Sequence, residues 1–303
     1  MKKNWLSLIL PLIPMILWGS LFPFIKIGYD AFNIDTESMP DILVFAAIRF
    51  LFCGLILTAL AFIKKAPFSD KRAKRVWWII LSGLFSIVLH YAFTYIGLTM
   101  TDSSKTALLK QVGSLIYICF AFLFIKDERF NKFKLIGGII GFVGIIAINF
   151  TGDSFSLEIG DVLILLASAC SIVSTVMSKD NVADTSPLWN VGISQLVGGA
   201  ILLAAGMIMG GKIPAFNLKS TLVFAYICSS SIIAYVLFNA VQKYSKNSTL
   251  LIIKFAEPLC ACIFGAILLG EDILKIQYLL AFVLISLGIF LGSKKETEEK
   301  CDT

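Results

Sequence analysis

Residues 41–63 read DILVFAAIRFLFCGLILTALAFI, and after the first position they carry a single charged side chain, Arg49. A helix needs about 20 mostly apolar residues to cross the hydrocarbon core of a bilayer. The segment meets that requirement, and the same criterion selects ten runs along the chain. They span residues 6–27, 41–63, 77–98, 105–125, 134–150, 159–178, 188–209, 221–242, 249–269 and 275–293.

The overall composition agrees with these runs. Of the 303 residues, 58% are hydrophobic and only 15% are charged, and the mean hydropathy is +0.87. Soluble domains carry about 25% charged residues. Since only helices and closed barrels satisfy backbone groups in lipid, the sequence predicts an all-α membrane protein with ten transmembrane helices.

The basic residues indicate the orientation. If the N-terminus is cytoplasmic, eighteen of the 26 Lys and Arg residues fall in inner segments and five in outer ones. This bias fits the positive-inside rule. We therefore expect a multi-pass protein of the cytoplasmic membrane with both termini inside, whose first run stays as a span. Because the charge of +6 is spread over short loops, nucleic acid is not an expected partner.

No pattern of a metal, disulfide or nucleotide site is found. The cysteines stand singly, six of them inside apolar runs, at Cys53, Cys119, Cys170, Cys228, Cys260, Cys262 and Cys301. Cys260 and Cys262 point to different faces of a helix. Glycine-rich stretches such as residues 137–141 lie within an apolar run and are typical of close helix packing. We expect no metal, no cofactor and no dependence on ATP.

The chain contains an internal repeat. A shift of 144 residues aligns residues 91–145 with residues 235–289 without a gap. The shift pairs Tyr91 with Tyr235, Ser104 with Ser248, Lys110 with Lys254, Phe120 with Phe264, Asp127-Glu128 with Glu271-Asp272, and Gly144 with Gly288. Because a five-span unit has an odd number of crossings, its second copy must be inverted. Inverted repeats recur in secondary transporters that use alternating access.

Several short motifs occur in an order that resembles a known family. They are Trp18-Gly19-Ser20 with Lys26, then Arg49-Phe50, then Glu257-Pro258 with Gly270-Glu271. With ten spans and a half-length repeat, the chain resembles the EamA type of the drug/metabolite transporter superfamily. The first half departs from the pattern, because Ser114 stands where the second half has Pro258 and Lys126 precedes Asp127-Glu128.

The resemblance implies the domain organisation and the position of a cavity. It implies two five-helix repeats, residues 1–150 and 151–293, followed by a cytoplasmic tail, residues 294–303. Spans three, four, eight and nine, with parts of one, two, six and seven, would surround a central cavity, while spans five and ten would pack behind it.

Four charged residues inside the runs are candidates for binding substrate: Arg49, Lys110, Lys254 and Glu257. A charge at the centre of a membrane helix costs about 2.5–3.5 kcal/mol on insertion scales, so it should face a cavity or a partner. Their sum of +2 favours an anionic or zwitterionic substrate. The alternatives are snorkelling of the two lysines, neutralisation of Lys254 by Glu257, and a structural tie through Arg49. For Lys26 and Lys105, at span ends, we expect snorkelling.

Two of the interior groups could carry a proton. Glu257 precedes Pro258, whose missing N–H leaves a carbonyl of the preceding turn without its usual partner. We expect Glu257 to be the candidate for a coupling proton. His90 is the only histidine, and such a residue more often packs with a hydrogen bond than relays protons.

Aromatic and polar side chains complete the predicted cavity wall. Tyr91, Tyr95, Tyr235 and Asn239 combine apolar bodies with polar tips, and Tyr235 and Asn239 share one helix face. Trp18 and Phe22 flank the first span's path, where Gly19 and Pro23 suit either bending or close packing. The alternative for all of them is ordinary packing between helices.

We therefore expect a secondary transporter of a small metabolite, moved by alternating access. Export and an amino acid or related compound follow from the resemblance alone. A transporter of sugar phosphates or nucleotide sugars is the alternative, which the paired lysines would suit. A membrane enzyme or a sensor is disfavoured, because neither a cluster of acid and base groups nor a soluble output domain is found. The expected partners are the substrate, the lipid bilayer and a coupling proton, in a monomer or homodimer.

Overall fold

The computed structural model describes most of the chain. It covers residues 10, 12–68, 72–113, 132–148, 150–151, 154–155, 157–178, 185–242 and 256–299. The first part of the candidate region around Lys254 and the second half of the fourth predicted span lie outside these residues. All structural statements below refer to the covered ranges.

The described residues form helices joined by short connections. In the first half these are α1 (Leu12–Ala31), α2 (Met39–Ile63), α3 (Arg72–Gly83), a π-helical turn (Leu84–Leu89), α4 (His90–Met100), α5 (Ser103–Leu109) and α6 (Lys132–Ile148). Two short antiparallel strands follow, β1 (Phe150–Thr151) and β2 (Ser154–Phe155). The second half contains α7 (Ile159–Ser178), α8 (Pro187–Ile208), α9 (Leu218–Gln242), α10 (Ala256–Leu269) and α11 (Ile276–Glu299).

The predicted runs coincide with helices, with differences at the ends. Helix α1 continues to Ala31, beyond the predicted end at residue 27, so Lys26 lies inside the helix. The third run is divided by the π-helical turn, in which the N–H of His90 bonds the carbonyl of Phe85. The last helix continues through charged residues to Glu299. These extensions are polar, and for that reason a search for apolar runs misses them.

The outer surface of the helices is apolar. Side chains such as Leu55, Ile208, Ile267 and Leu279 are more than half exposed. Five helices of the described residues are long and apolar enough to cross a membrane: Leu12–Ala31, Met39–Ile63, Lys74–Met100, Pro187–Ile208 and Leu218–Phe238. Shorter apolar helices accompany them. A largely apolar exterior on long helices is what a bilayer requires, so the chain is a multi-pass membrane protein.

Helices α2 and α8 pack in close contact through glycines. A Cβ atom on Gly54 would lie 2.5 Å from the backbone nitrogen of Leu196, and one on Gly199 would lie 2.8 Å from that of Leu51. Gly206 meets Val44 in the same way. Because the partner number falls as the chain number rises, the helices are antiparallel. The contacts Gly54–Leu196 and Leu51–Gly199 are also reciprocal, with a spacing of 145 residues within each pair of equivalents.

Helices α6 and α11 repeat this arrangement. Gly144 lies against Ala281 and Ile285, and Gly288 lies against Gly137 and Gly141. A shift of 144 residues converts one set of contacts into the other. The order of the contacts again makes the two helices antiparallel. Such reciprocity is the property of a two-fold axis, and between antiparallel helices that axis is perpendicular to them.

The helices of the two halves are interleaved. Helix α1 packs on α9 and α10, whereas α4 packs on α7. Helices α2 and α8 form the most extensive pair, followed by α6 and α11. Each half therefore completes the other, and the polar interior is enclosed by both.

Closing the gap at Gly199 should destabilise the protein. We expect Gly199→Leu to lower the apparent melting temperature in detergent, because overpacking of a close contact costs about 1–3 kcal/mol. Ala200→Leu is the matched control, since Ala200 is exposed on the same turn of α8. Equal melting temperatures for the two variants, measured by a thiol-reactive or size-exclusion thermal assay, would show that this contact does not limit the packing.

Candidate functional site

Arg49 lies at the centre of the interior, with an exposed fraction of 1%. Its guanidinium donates hydrogen bonds to the hydroxyl of Tyr95 and, at 2.6 Å, to Oγ of Ser231. The rings of Phe50 and Tyr91 lie with their centroids 5.0 and 5.7 Å from the guanidinium carbon. Since the salt bridges of the described residues involve other groups, hydroxyls and aromatic faces stabilise this charge.

The hydrogen bonds of Arg49 connect helices of both halves. Tyr95 belongs to α4 and Ser231 to α9, while Arg49 lies on α2. Nε of Arg49 is buried with no hydrogen-bond partner within the described ranges. The residue therefore acts as the predicted tie between helices and also leaves donor capacity in the interior.

Tyr91 and Tyr235 meet directly. Their hydroxyl oxygens are 2.8 Å apart, and they are separated by 144 residues, the offset of the repeat. Both lie within electrostatic range of Arg49 and of Glu257. The pair stands between a positive and a negative group, at a position equivalent in the two halves.

Lys110 turns inward. Its ammonium lies 4.9 Å from the centroid of Phe22 and 5.9 Å from that of Tyr91. Cation–π contacts of this length stabilise an ammonium in a partly desolvated position. The long side chain is thus directed at the aromatic interior, in contrast to the alternative of snorkelling toward the interface.

Glu257 lies in the first described turn of α10, with an exposed fraction of 7%. Its backbone is in close contact with α1, because a Cβ atom on Gly19 would lie 2.6 Å from the carbonyl oxygen of Glu257 and 3.0 Å from the nitrogen of Ala261. Gly19 is therefore a close-packing position. Pro258 is buried beside it.

The other predicted residues surround this centre. Trp18 packs on Tyr235, at 5.4 Å between centroids, and on Phe238, at 4.9 Å. Nδ1 of His90 is 2.7 Å from the carbonyl oxygen of Ala167. Since a carbonyl only accepts, Nδ1 carries the hydrogen and the ring is tied to α7. Asn239 lies on α9 and its side chain is outside the described part, as is the whole of Lys254.

We use the name central cluster for the interior residues that the structure brings together: Trp18, Phe22, Arg49, Tyr91, Tyr95, Lys110, Tyr235 and Glu257. Their contacts join α1, α2, α4, α9 and α10 with the turn that follows α5. These elements come from both halves of the chain. The roles assigned to the residues from the sequence stay predictions.

A second polar group closes one end of the helices. The carboxylate of Glu271 accepts hydrogen bonds from the backbone N–H of Ser103 at 2.8 Å, from that of Ser104 at 3.0 Å, and from Oγ of Ser104 at 2.6 Å. Nζ of Lys26 lies 3.8 Å away. Burial alone would raise the pKa of Glu271, but the hydrogen bonds from Ser104 and Ser103 lower it below its ordinary value. The carboxylate is therefore ionised at neutral pH.

A cavity of about 670 Å³ lies at the same end. We call it the outer cavity, and it is lined by Lys26, Lys105, Lys275, Asp102 and Tyr278 among others. Nζ of Lys105 forms a 2.8 Å ion pair with the fully buried Asp161. Lys26 and Lys105 thus bind carboxylates, so the expectation that they snorkel was wrong.

Sequence reasoning missed three of the groups described above. Asp161 follows Glu158 by three residues, which is the spacing of a reciprocal helix cap, and it accepts from the Glu158 N–H. Glu271 was noted only as part of Gly270-Glu271. Ser231 lies among three consecutive serines, and nothing in the sequence marks the one that binds Arg49.

Comparison with known proteins places this geometry in a family. The model of the EamA-like transporter family matches residues 5–150 and again residues 158–293. The chain belongs to the EamA-like transporter family. The expected resemblance to the EamA type is thereby confirmed, and the two matches cover nearly the whole chain.

Similar EamA-like proteins occur in bacteria and archaea. The chain is 28% identical to the "Uncharacterized inner membrane transporter YedA" of Escherichia coli K12, over 92% of this chain and 90% of that protein. It is 26% identical to the "Uncharacterized transporter YvbV" of Bacillus subtilis, over 94% and 91%. A crystal structure covering 99% of this chain has a TM-score of 0.65 at 14% identity, which shows a shared fold. The EamA-like chain described here is accordingly a membrane transporter in general role.

Removing either hydroxyl of the tyrosine pair should have the same effect. We expect Tyr91→Phe and Tyr235→Phe each to lower the free energy of unfolding by about 0.5–1.5 kcal/mol, the contribution of one hydrogen bond. The double variant should lose no more than one single variant does, because both changes remove the same bond. Thermal melts of the four proteins test this, and additive losses would contradict a direct hydroxyl contact.

Proposed function

We propose that this EamA-like chain moves a small anionic or zwitterionic metabolite, such as an amino acid or a related carboxylate, by alternating access. The site would be the central cluster. The single observation that carries the substrate class is the burial of Arg49 without a carboxylate partner, beside the inward-turned Lys110. A substrate carboxylate would supply the counter-charge that these groups lack among the described side chains.

The opposite charge in the cluster supports a zwitterion. Glu257 is buried on α10 and interacts electrostatically with the tyrosine pair. Arg49 and Lys110 on one side and Glu257 on the other would match a carboxylate and an ammonium of the same ligand. Tyr91, Tyr95, Tyr235, Trp18 and Phe22 would form the apolar wall of the site, with hydroxyls that orient the ligand.

The proposal includes ten spans in two inverted halves, 1–150 and 151–293, with residues 294–303 and the N-terminus in the cytoplasm. The reciprocal glycine contacts between α6 and α11 and between α2 and α8 support it, because they relate antiparallel helices by a two-fold operation. Two matches to one family model also support it. An axis in the membrane plane is the geometry in which one half can rock against the other.

The direction of transport is proposed as export from the cytoplasm, on the resemblance to the superfamily. A carrier of sugar phosphates or nucleotide sugars is the second candidate, which the basic groups Arg49, Lys110 and Lys254 would favour. Uptake and efflux by the purified protein in liposomes, with amino acids in one set and phosphorylated sugars in the other, separate the two. A thermal-shift screen of metabolites selects the compounds, since a ligand of the folded state raises the melting temperature.

Loss of the interior ammonium should weaken binding. We expect Lys110→Met to reduce the affinity for an anionic ligand found in the screen by about tenfold or more, because a charge-assisted hydrogen bond contributes about 1.5–3 kcal/mol. Lys219→Met is the control, since Lys219 is exposed at the beginning of α9. Unchanged affinity in Lys110→Met, measured by titration calorimetry, would remove Lys110 from the site.

Glu257 is proposed as the carrier of a coupling proton. Transport by Glu257→Gln should then proceed without dependence on an imposed proton gradient, because the neutral amide cannot gain or lose a proton in this range. Asp272→Asn changes an exposed acid and should keep the dependence. Flux in liposomes with and without a pH gradient measures it. A Glu257→Gln protein that still follows the gradient would exclude this role.

A further inference from the structure

Helices α1, α5 and α10 run side by side between the outer cavity and the central cluster. Going inward, each helix contributes one residue to each of three layers. The first layer contains Lys26, Ser104 and Gly265, with Glu271 bound between them. The second is the contact cluster of Phe22, Ala107 and Ala261. The third reaches Gly19, Lys110 and Glu257. The steps are three or four residues on each helix, which is one turn.

The second layer is dry and tightly closed. Phe22 is 4% exposed, Ala107 1% and Ala261 0%. No polar ligand passes between the outer cavity and Lys110 while these three side chains are in contact. The path opens only if α5 and α10 separate.

The first layer holds α5 and α10 together. Glu271 follows the end of α10, and its carboxylate accepts three hydrogen bonds from Ser103 and Ser104 at the beginning of α5. Bonds from backbone N–H groups to an ionised carboxylate are among the stronger hydrogen bonds in proteins. The ammonium of Lys26 on α1 adds a longer ion pair to the same carboxylate.

A glycine makes room for these bonds. A Cβ atom on Gly265 would lie 2.5 Å from Oε2 of Glu271 and 2.8 Å from Oγ of Ser104. Any side chain at this position would therefore push the carboxylate away from the serine. The close approach of α10 to α5 depends on this residue as much as on the carboxylate.

The repeat distinguishes this contact from the tyrosine pair. In alternating access by inverted halves, the two halves exchange conformations. A contact between repeat equivalents, such as Tyr91 with Tyr235, is converted into itself by that exchange and persists. Glu271 and Ser104 are 167 residues apart, so they are not equivalents. Their contact is therefore free to break in the other state.

We propose that Glu271 is the latch of an outer gate: its carboxylate holds α5 on α10, and its release opens the layer of Phe22, Ala107 and Ala261. The proposal rests on the proposed transport function. The groups that face the carboxylate are Ser103 and Ser104 of α5 and Lys26 of α1, with Tyr278 of α11 and Cys262 of α10 within electrostatic range. Glu271 positions the gate and is not itself required to contact substrate.

The test measures access to the second layer. In a variant without the seven native cysteines, Ala107→Cys places a thiol directly behind the latch, and a membrane-impermeant methanethiosulfonate reagent is applied to vesicles of either orientation. With Glu271→Ala, we expect labelling from the outer side to become about tenfold faster or more, the population change that loss of one charge-assisted hydrogen bond produces. Gly265→Ala should give the same increase by a different route.

Two controls make the result specific. Asp272→Ala removes the neighbouring carboxylate, which is exposed and accepts only from the nearby Leu274 N–H, at 3.2 Å, in the described structure, and it should not change the rate. Ala46→Cys reports on the fully buried face of α2 and should stay protected in every variant.

The outcomes separate the latch from the transport function. Unchanged labelling of Ala107→Cys in both Glu271→Ala and Gly265→Ala overturns the proposal, and so does equal acceleration at Ala46→Cys, which indicates general unfolding. Acceleration only from the inner side also overturns it. Flux in liposomes is measured separately, so a protein with a working latch and no transport would refute the proposed function alone.

Discussion

The close antiparallel contact between helices of opposite halves is the constraint on which the interior depends. In lipid, apolar side chains gain little by leaving one apolar surroundings for another, so helices associate through tight packing and interhelical hydrogen bonds. Gly54 and Gly199 between α2 and α8, and Gly144 and Gly288 between α6 and α11, permit backbone approach that no other residue would allow. This approach fixes which residues of the two halves face one another.

The electrostatics of the interior follow from that packing. Burying an ion away from water costs several kcal/mol unless polar groups replace its hydration. Around Arg49 the replacement comes from Tyr95, Ser231 and aromatic faces, which are neutral. The region therefore keeps its positive potential, and Lys110 increases it. A site that retains uncompensated charge in this way attracts an anion, whereas an internal ion pair would have neutralised it.

The closed end of the molecule uses the opposite strategy. There, each lysine is matched to a carboxylate: Lys105 to Asp161, and Lys26 to Glu271. Both carboxylates also accept backbone N–H groups, from Glu158 and from Ser103 and Ser104. These contacts are local and can be exchanged for water near the membrane surface. The central tyrosine pair, by contrast, relates equivalent positions and needs no exchange when the halves change places.

The sequence by itself determined the membrane class, the helical segments, the family and most residues of the central cluster, because lipid imposes long apolar runs in which every charge stands out. Only the tertiary structure decided which charges are paired. Lys26 and Lys105 look like residues that snorkel, yet their partners Glu271 and Asp161 are distant in the chain. Ser231 is one serine among three, and it became the partner of Arg49 because helix rotation, which packing sets, turns it inward. Pairing across helices depends on geometry that no local pattern of residues encodes.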